Sequence, residues 1–383
     1  MLLLSRLYRA GILVILFSVS TASGADDFQT VLIGFSGSLS GISEAFGKSM
    51  ANAAELAIAE ANRNPHKIDG KRIQFRLMRM DDRGDPVRAQ HVANVLVQAG
   101  VIGVIGGANS ATSIASAGIY ASAGIPQISP AATTRKFSEL GYRTTFRTVG
   151  VDDEAVSYLA DFVIRDLHAG RIAVIDNGTQ FGIGITTRFV DVMKENGATL
   201  AVRETIDPTM SDFDPLLRRI KEQDVDAIFF GGYSAQTSVI AQSMKRMEIR
   251  ARLITSMIGI VGASYFIATG PAANGTISQE GGVPFDKMSG WKKFEMQYTQ
   301  RFDFNVYGMT PFSYDAAQVL IAAIREANSL DTKRIVDTLH RITHRGLTGT
   351  IAFDASGNLR NPSFTIYEAQ NQRWIPLKSN GGR

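Results

Sequence analysis

The sequence predicts an α/β protein of two similar lobes with a cleft between them. Short β-rich runs alternate with amphipathic helical patterns, and the alternation occurs as two series, near residues 30–150 and 170–280. The length of 383 residues also exceeds what one hydrophobic core usually holds. Repeated β-α units form parallel-rich sheets with right-handed crossovers, so each series predicts one Rossmann-like lobe. Ligands of such sheets bind beyond the carboxyl ends of the strands, which predicts a ligand site in a central, hinged cleft.

The first series contains apolar runs, an alanine-rich helix and a helix-start signal. Residues 31–35 form an apolar run typical of a buried strand, and residues 44–62 are rich in alanine. Asp85 can cap a helix that starts at Pro86, where the missing N–H of proline costs nothing. The predicted strands are residues 31–35, 72–80, 101–105 and 126–129, and the predicted helices are residues 44–62, 86–98 and one that begins at Ser110.

The second series repeats this pattern and is followed by late helices. Residues 212–223, for example, place four apolar side chains on one helical face. The predicted strands are residues 171–176, 200–205, 227–230, 253–255 and 276–278, with β-like pieces at 350–353 and 364–367. The predicted helices are residues 181–196, 212–223, 234–247, 290–302, 311–327 and 333–341.

The first 24 residues have the three parts of a secretory signal peptide. Arg6 and Arg9 are basic, residues 11–19 are apolar, and Ala22 and Gly24 are the small residues that precede a cleavage site. The apolar core is too short for a membrane span, which takes about 20 residues. We therefore expect export to the periplasm with removal of residues 1–24.

Composition argues against several classes of function. The chain has no cysteine, which excludes disulfides, thiolate metal sites, a cysteine nucleophile and a lipidated N-terminal cysteine. The formal net charge of +4 is small and its charges are dispersed, which argues against a nucleic-acid partner.

The sequence contains no recognisable motif for catalysis or for a cofactor. The glycine-rich residues 34–41 lie between a strand and a helix, but they match neither GxGxxG nor GxxxxGK[ST]. GxSxG and HExxH motifs are absent from the sequence. Asp81, Asp82 and Asp85 are better explained as loop and helix-cap groups than as acid/base pairs. We expect a protein that is not an enzyme and uses no cofactor or metal ion.

Two loops of the first series carry residue types that bind a carboxylate. Residues 106–113 (GGANSATS) and 128–134 (ISPAATT) are small and rich in hydroxyls, and each leaves a β-run at its carboxyl end. The first loop leads into a helix whose free N–H groups favour an anion, and the hydroxyls of Ser110 and Thr133 could complete the site. The alternative is that these residues only cap helices.

Three aromatic residues could form an apolar wall opposite that polar site. Phe181 and Tyr233 follow strands of the second series, and Phe46 lies in a first-series loop. Facing one cleft, they would suit a small apolar ligand, whereas each alone could be ordinary core.

The order of these segments resembles that of the type I periplasmic solute-binding proteins of ABC importers, specifically the leucine/isoleucine/valine-binding group. The resemblance spans residues 30–375, and its markers are IGFSGSLSG (33–41), DDRGDP (81–86), VIGG (104–107), GIPQISPAAT (124–133), FRT (146–148), QFG (180–182), FFGGY (229–233) and YDA (314–316). No single marker is specific, but their shared order along the chain is. The resemblance implies three crossovers between a first lobe of residues 25–150 and 282–358 and a second lobe of residues 151–281 and 359–383.

The resemblance also implies which residues contact the ligand. Ser110, Ala131 and Thr133 match the site of the ligand carboxylate. Tyr233 matches a second-lobe tyrosine that contacts the ligand, and Phe181 stands where amino-acid binders often have tyrosine. The full set of ligand-binding residues expected from these arguments is Phe46, Asn109, Ser110, Ala131, Ala132, Thr133, Phe181, Tyr233 and Ile258.

Ile258 is the important departure from the family pattern. Amino-acid binders of the family usually have Glu or Asp here, paired with the ligand ammonium. A buried ammonium without a partner costs several kcal/mol. Residues 254–265 contain no acidic side chain, so a small error in the match does not restore the pair. Either another carboxylate compensates, or the ligand is not an α-amino acid.

These observations predict a monomeric binding protein that delivers a small carboxylate-bearing apolar solute to an inner-membrane ABC permease. A branched-chain amino acid is the default that the resemblance implies, and Ile258 favours a non-amino aliphatic or aromatic carboxylate. A ligand sensor that acts through a partner is an alternative, although the signal peptide argues against it. A secreted hydrolase is the third alternative, but the sequence lacks a recognisable nucleophile motif.

Overall fold

The computed structural model describes residues 28–41 and 43–381, so the predicted signal peptide lies outside the described residues. The strands are β1 (Phe28–Gly37), β2 (Lys67–Ile68), β3 (Lys71–Asp81), β4 (Val104–Gly106), β5 (Gln127–Ser129), β6 (Thr145–Arg147), β7 (Arg171–Asp176), β8 (Thr199–Thr205), β9 (Ala227–Gly231), β10 (Arg252–Ser256), β11 (Ile277–Gly281), β12 (His344–Arg345), β13 (Thr350–Ile351), β14 (Phe364–Gln370) and β15 (Arg373–Asn380). The helices are α1 (Glu44–Arg63), α2 (Pro86–Gln98), α3 (Ser110–Ser122), α4 (Lys136–Glu139), α5 (Asp152–Asp161), α6 (Gln180–Glu195), α7 (Asp214–Lys221), α8 (Ser234–Arg246), α9 (Ala263–Thr269), α10 (Trp291–Phe302), α11 (Thr310–Ala327) and α12 (Thr332–Leu339).

The first lobe is built on a sheet with the strand order β2-β3-β1-β4-β5-β6. All of its neighbours pair in parallel except β2, which pairs antiparallel with β3. Its central strands are short apolar runs because helices cover both faces of the sheet. Helix α2 begins as the sequence predicts: the Asp85 carboxylate accepts the Arg88 N–H at 2.7 Å, and Pro86 is its first residue.

The second lobe is built on a sheet with the strand order β15-β14-β11-β10-β9-β7-β8. Strands β7 to β11 pair in parallel, and the hairpin β14-β15 adds to β11 in antiparallel orientation. The chain between β11 and β14 returns to the first lobe, where α11 packs against α1. The fold class predicted from the sequence is confirmed: the protein is α/β, with parallel-rich sheets in two lobes.

The segments that connect the lobes lie side by side. The Gly282 N–H donates to the Ser363 carbonyl at 2.7 Å. A Cβ on Gly150 would lie only 2.5 Å from the Phe364 ring, so only glycine allows this close approach. Helix α5 packs on α6 of the second lobe, which puts one crossing just before Asp152. The lobe boundaries given above remain a prediction.

Several elements differ from the sequence prediction. Strand β6, helix α5 and strand β15 were not predicted, and the predicted strand 101–105 is reduced to β4. Strand β6 was missed because it contains Arg147, a charged residue that is 1% exposed. Across residues 28–41 and 43–381, no helix combines the length and apolar character that a membrane crossing needs.

Candidate functional site

A cavity of about 50 Å³ lies where the carboxyl ends of the two sheets face each other. Its wall is formed by Ser43, Phe46, Ala108, Asn109, Ser110, Ala131, Phe181, Tyr233, Ser234, Met257, Ile258 and Met309. Seven of the nine predicted ligand-binding residues therefore line this cavity, and the two others, Ala132 and Thr133, do not. Five further lining residues were not predicted as ligand-binding: Ser43, Ala108, Ser234, Met257 and Met309.

The hydroxyl of Ser110 is free to bind a ligand. The helix α3 is capped by Asn109, whose side-chain oxygen accepts the Thr112 N–H at 2.9 Å, so Ser110 is not the cap. The Ser110 Oγ is buried and makes no hydrogen bond among the described residues. A buried polar atom without a partner costs free energy, so this atom is poised for a ligand acceptor. The free N–H groups of the first turn of α3 add a preference for an anion.

The loop that carries Ala131 and Thr133 is fixed from both sides. The Ser129 Oγ accepts the Ala132 N–H at 2.9 Å and donates to the Gly107 carbonyl at 3.0 Å, which ties the two polar loops together. From the other side, the buried Arg147 donates to the carbonyls of Ala132 and Thr134, at 2.6 and 2.9 Å. Burial lowers the pKa of Arg147 to about 10, so the guanidinium stays charged at neutral pH.

Ala132 does not line the cavity. It is fully buried and packs with Ala117 and Phe137 in a small apolar cluster of the first lobe, because its carbonyl and its side chain turn away from the cleft. Its side chain is not part of the cavity wall, and the role of Ala132 in ligand binding stays a prediction. Its contribution is to hold the loop between Ser129 and Arg147.

A buried carboxylate, Asp152, lies behind Thr133. The Asp152 N–H donates to the Thr133 carbonyl at 2.9 Å. Neither the Thr133 hydroxyl nor the Asp152 carboxylate makes a hydrogen bond of regular geometry with a described residue. Burial raises the pKa of Asp152 to about 7, although the nearby Thr133 hydroxyl and the charge of Arg147 act in the opposite direction. No sequence motif singles out this residue, which is followed by two further acidic residues.

The opposite wall is aromatic and apolar. Phe181, in the first turn of α6, stacks on Tyr233 with ring centroids 5.8 Å apart and an interplanar angle of 11°. The Tyr233 hydroxyl lies beside Thr179, and burial raises the pKa of Tyr233. Phe46 lies in the first turn of α1 and not in a loop as predicted, and its ring meets Tyr307 edge-on, with centroids 6.3 Å apart.

The lobes are in direct contact across the cleft. A Cβ on Gly259 would lie 2.9 Å from Cε2 of Phe46, so the ring rests on the glycine backbone. Gly259 also has a φ of +69°, a conformation that favours glycine. The Gly308 N–H donates to the Gly259 carbonyl at 3.1 Å. Contacts between α3 and α6 complete a closed arrangement.

Ile258 lines the cavity, as the sequence predicts, and a buried glutamate holds the loop behind it. The Glu280 carboxylate accepts the N–H groups of Gly259 at 2.8 Å and Ile260 at 3.3 Å, and the Ser278 hydroxyl at 2.6 Å. Burial raises the pKa of Glu280 to about 7. Its acceptor positions are thus used by the loop.

The three aspartates of residues 81–85 are structural, which confirms their interpretation from the sequence. Asp81 accepts the N–H of Leu39 and the hydroxyl of Ser40, at 2.8 and 2.6 Å. Asp82 accepts the Ser36 hydroxyl at 2.8 Å, and Asp85 caps α2. All three hold loops and are already hydrogen-bonded.

A fold of two lobes closed over a small cavity, with one polar and one aromatic wall, is that of a solute-binding protein. Residues 30–373 match the sequence profile of the periplasmic binding protein family, and the chain belongs to that family. The family resemblance seen in the sequence is therefore confirmed, and the family is one of substrate-binding proteins. Compared with Leu/Ile/Val-binding protein homolog 1 of Brucella suis, the chain is 28% identical over 348 residues, 91% of this chain and 92% of that protein.

Two solved structures show the same fold. The branched-chain amino acid transporter substrate-binding protein LivJ of Streptococcus pneumoniae, in complex with isoleucine, has a TM-score of 0.83 and 23% identity over 92% of this chain and 99% of that one. An ABC transporter solute-binding protein from R. palustris, in complex with 4-hydroxybenzoate, has a TM-score of 0.81 and 18% identity over 93% of this chain and 98% of that one.

Proposed function

We propose that the chain is the periplasmic substrate-binding component of an ABC-type (branched-chain) amino-acid transport system, and that its cleft captures a small apolar solute that carries a carboxylate. The observation that carries this proposal is the free Ser110 hydroxyl at the start of α3, on the wall of a cavity whose opposite side is aromatic. A carboxylate would accept hydrogen bonds from Ser110, from Thr133 after a small movement, and from the helix N–H groups.

Binding and closure are coupled in this proposal. Ser110 and Phe46 belong to the first lobe, and Tyr233 and Ile258 belong to the second. Only the closed form lets a ligand contact both sets, so the ligand stabilises the closed form by the free energy of those added contacts. The ligand leaves the cleft chemically unchanged. The permease distinguishes the closed form of the protein from the open form.

Two classes of ligand are in competition at this site. A branched-chain amino acid is supported by the relatives from B. suis and S. pneumoniae. A non-amino carboxylate is supported by the cavity wall, which includes no charged residue within the described chain, and by the 4-hydroxybenzoate complex of the R. palustris protein. Asp152 is the buried carboxylate that could still accept an ammonium, because the Glu280 oxygens are occupied by the loop.

Calorimetric titration of ligand-stripped protein distinguishes these classes. L-leucine and 4-methylpentanoate share a side chain and a carboxylate, and only leucine has an ammonium. Binding of 4-methylpentanoate alone would establish an organic-acid receptor, and Ile258→Glu should then shift the preference toward leucine. Binding of leucine alone, lost in Asp152→Asn, would establish Asp152 as the ammonium partner. The proposed function would be refuted if neither compound binds and if Ser110→Ala has no effect on the binding of any carboxylate.

Export and assembly are tested separately. We propose that removal of residues 1–24 leaves Ala25 as the first residue of a monomeric periplasmic protein. N-terminal sequencing of the protein released by osmotic shock would identify that residue, and light scattering would give the mass. An intact N-terminus on a cytoplasmic protein would favour the sensor alternative.

A further inference from the structure

A second cavity of about 230 Å³ adjoins the first one, and we call it the outer compartment. The two cavities share Ser43, Phe46, Tyr233 and Ser234, so these four residues form the passage between them. The outer compartment continues along α8 and α9 of the second lobe and reaches Tyr307 of the first. Nothing in the proposed capture of a small carboxylate uses this space.

The outer compartment has several polar groups on a largely apolar lining, and its lining is uncharged. Its lining includes Gln236, Ser264 and Tyr307, together with the passage residues, and contains no acidic or basic side chain among the described residues. The hydroxyls of Ser43 and Ser234 make no hydrogen bond with another described residue. Groups of this kind bind hydroxyls or amides, and they give no compensation for a second charge.

The size of the two cavities supports a ligand that occupies both. Ligand pockets usually have volumes of about 300–1,000 Å³. The inner cavity is far below that range at about 50 Å³, and only together do the two spaces approach it. Phe46 and Tyr233 border both spaces, so the apolar middle of a ligand would lie between these rings.

We propose that the cleft binds an extended carboxylate, whose chain passes between Phe46 and Tyr233 and ends in an uncharged hydroxyl or amide group in the outer compartment, beside Ser234 and Ser264. This inference rests on the proposed function, because it places the carboxylate at Ser110. It differs from the default of the family in length and in the polar far end. A free amino acid with a short aliphatic side chain would leave the outer compartment to water.

The test is calorimetric titration with straight-chain acids of four to eight carbons that differ only at the far end: unsubstituted, ω-hydroxy and ω-amino. We expect the best ω-hydroxy acid to bind about fivefold to tenfold more tightly than the unsubstituted acid of equal length, as one added neutral hydrogen bond allows. The ω-amino acid should bind more weakly than both, since its charge has no partner there.

Variants assign the gain to the outer compartment. Ser264→Ala, at a residue that lines only the outer compartment, should remove the advantage of the hydroxy acid and leave the affinity for the unsubstituted acid unchanged. Ser264→Phe, which fills the compartment, should exclude the longer acids and spare the short ones. Ser122→Ala, an exposed change on α3, is the matched control.

The outcomes separate this inference from the proposed function. The inference of an extended ligand alone would be overturned if short acids bind in a Ser110-dependent way but the terminal hydroxyl adds no affinity. It would also be overturned if the added affinity persists in both variants. If no acid binds and Ser110→Ala has no effect, both the extended ligand and the proposed function would be overturned.

Discussion

The two walls of the cleft differ in how far they are complete without a ligand. On the first-lobe wall, the Ser110 hydroxyl is buried without a partner, and Thr133 behind it is in the same condition. On the second-lobe wall, Phe181 stacks on Tyr233, and Glu280 satisfies the loop at Ile258. A buried unpaired polar atom is costly, so the first wall gains most from a ligand. We infer that the first wall selects the carboxylate and that the second selects size and shape.

The strongest test of this contrast removes the unpartnered hydroxyls of Ser110 and Thr133. Each charge-assisted hydrogen bond contributes about 1.5–3 kcal/mol, so Ser110→Ala combined with Thr133→Val should weaken carboxylate binding at least a hundredfold. Calorimetry with the best ligand measures the loss. The thermal midpoint of unfolding of Ser110→Ala alone should not fall, because the Ser110 hydroxyl makes no hydrogen bond with a described residue. Ser122→Ala is the control on the same helix, and an unchanged affinity in the double variant would place the carboxylate elsewhere.

The next test concerns Asp152, the carboxylate that lies between the two lobes. Its pKa is raised by burial from 3.8 to about 7. Between pH 4 and pH 7 the unfolded chain therefore releases a proton that the folded protein keeps, and folding stability falls as pH rises. Each unit of difference corresponds to about 1.4 kcal/mol, which puts the full effect on the order of 4 kcal/mol.

Asp152→Asn removes this contribution. Loss of the negative charge near Arg147 shifts the stability of the variant at every pH. The informative quantity is therefore the slope of stability against pH. We expect the thermal midpoint of the variant to rise relative to wild type from pH 4 to pH 8, in scans without ligand. Parallel pH curves for wild type and Asp152→Asn would contradict the raised pKa of Asp152.

Much of the fold could be predicted because its signals are local. Residues 31–35 and 227–230 are buried on both sides of a sheet, and burial of that kind produces continuous apolar runs. Asp85 and Pro86 identify the start of α2 by their own chemistry. Strand β15 had no such signal, because it is an edge strand with exposed Ile375 and a proline within it.

The site was predictable only where the residue itself touches the cavity. Phe46, Ser110 and Tyr233 lie on strand-end loops or helix starts, and sheet topology brings such positions together. Arg147 and Glu280 act through backbone groups of loops that are distant in sequence, and no spacing encodes those contacts. The sequence alone left open whether Ser110 only caps a helix. The structure decides this, because Asn109 accepts the Thr112 N–H and is the cap.

A smaller effect is expected where the two walls touch. Gly259→Ala adds a methyl group 2.9 Å from Phe46 at a φ of +69°, so it opposes closure as well as straining the backbone. Gly290→Ala is a matched control, since its φ is +84° in the left-handed region and nothing lies within 4 Å of an added Cβ. Both should lose about 1–2 kcal/mol of stability from the backbone alone. Only Gly259→Ala should also bind ligand about tenfold more weakly, and equal affinities would show that closure does not depend on this contact.

The smallest effect is expected at Tyr233, whose hydroxyl is beside Thr179 and is not needed to complete the second wall. Tyr233→Phe keeps the ring stacked on Phe181 and so keeps the apolar surface that the ligand buries. We expect less than a fivefold change in affinity for a simple aliphatic carboxylate, against the tenfold or greater loss for Ser110→Ala alone. Calorimetry on both variants with the same acid gives the comparison. A loss at Tyr233 as large as that at Ser110 would mean that the second wall also binds the polar end of the ligand, and the division of roles between the walls would have to be abandoned.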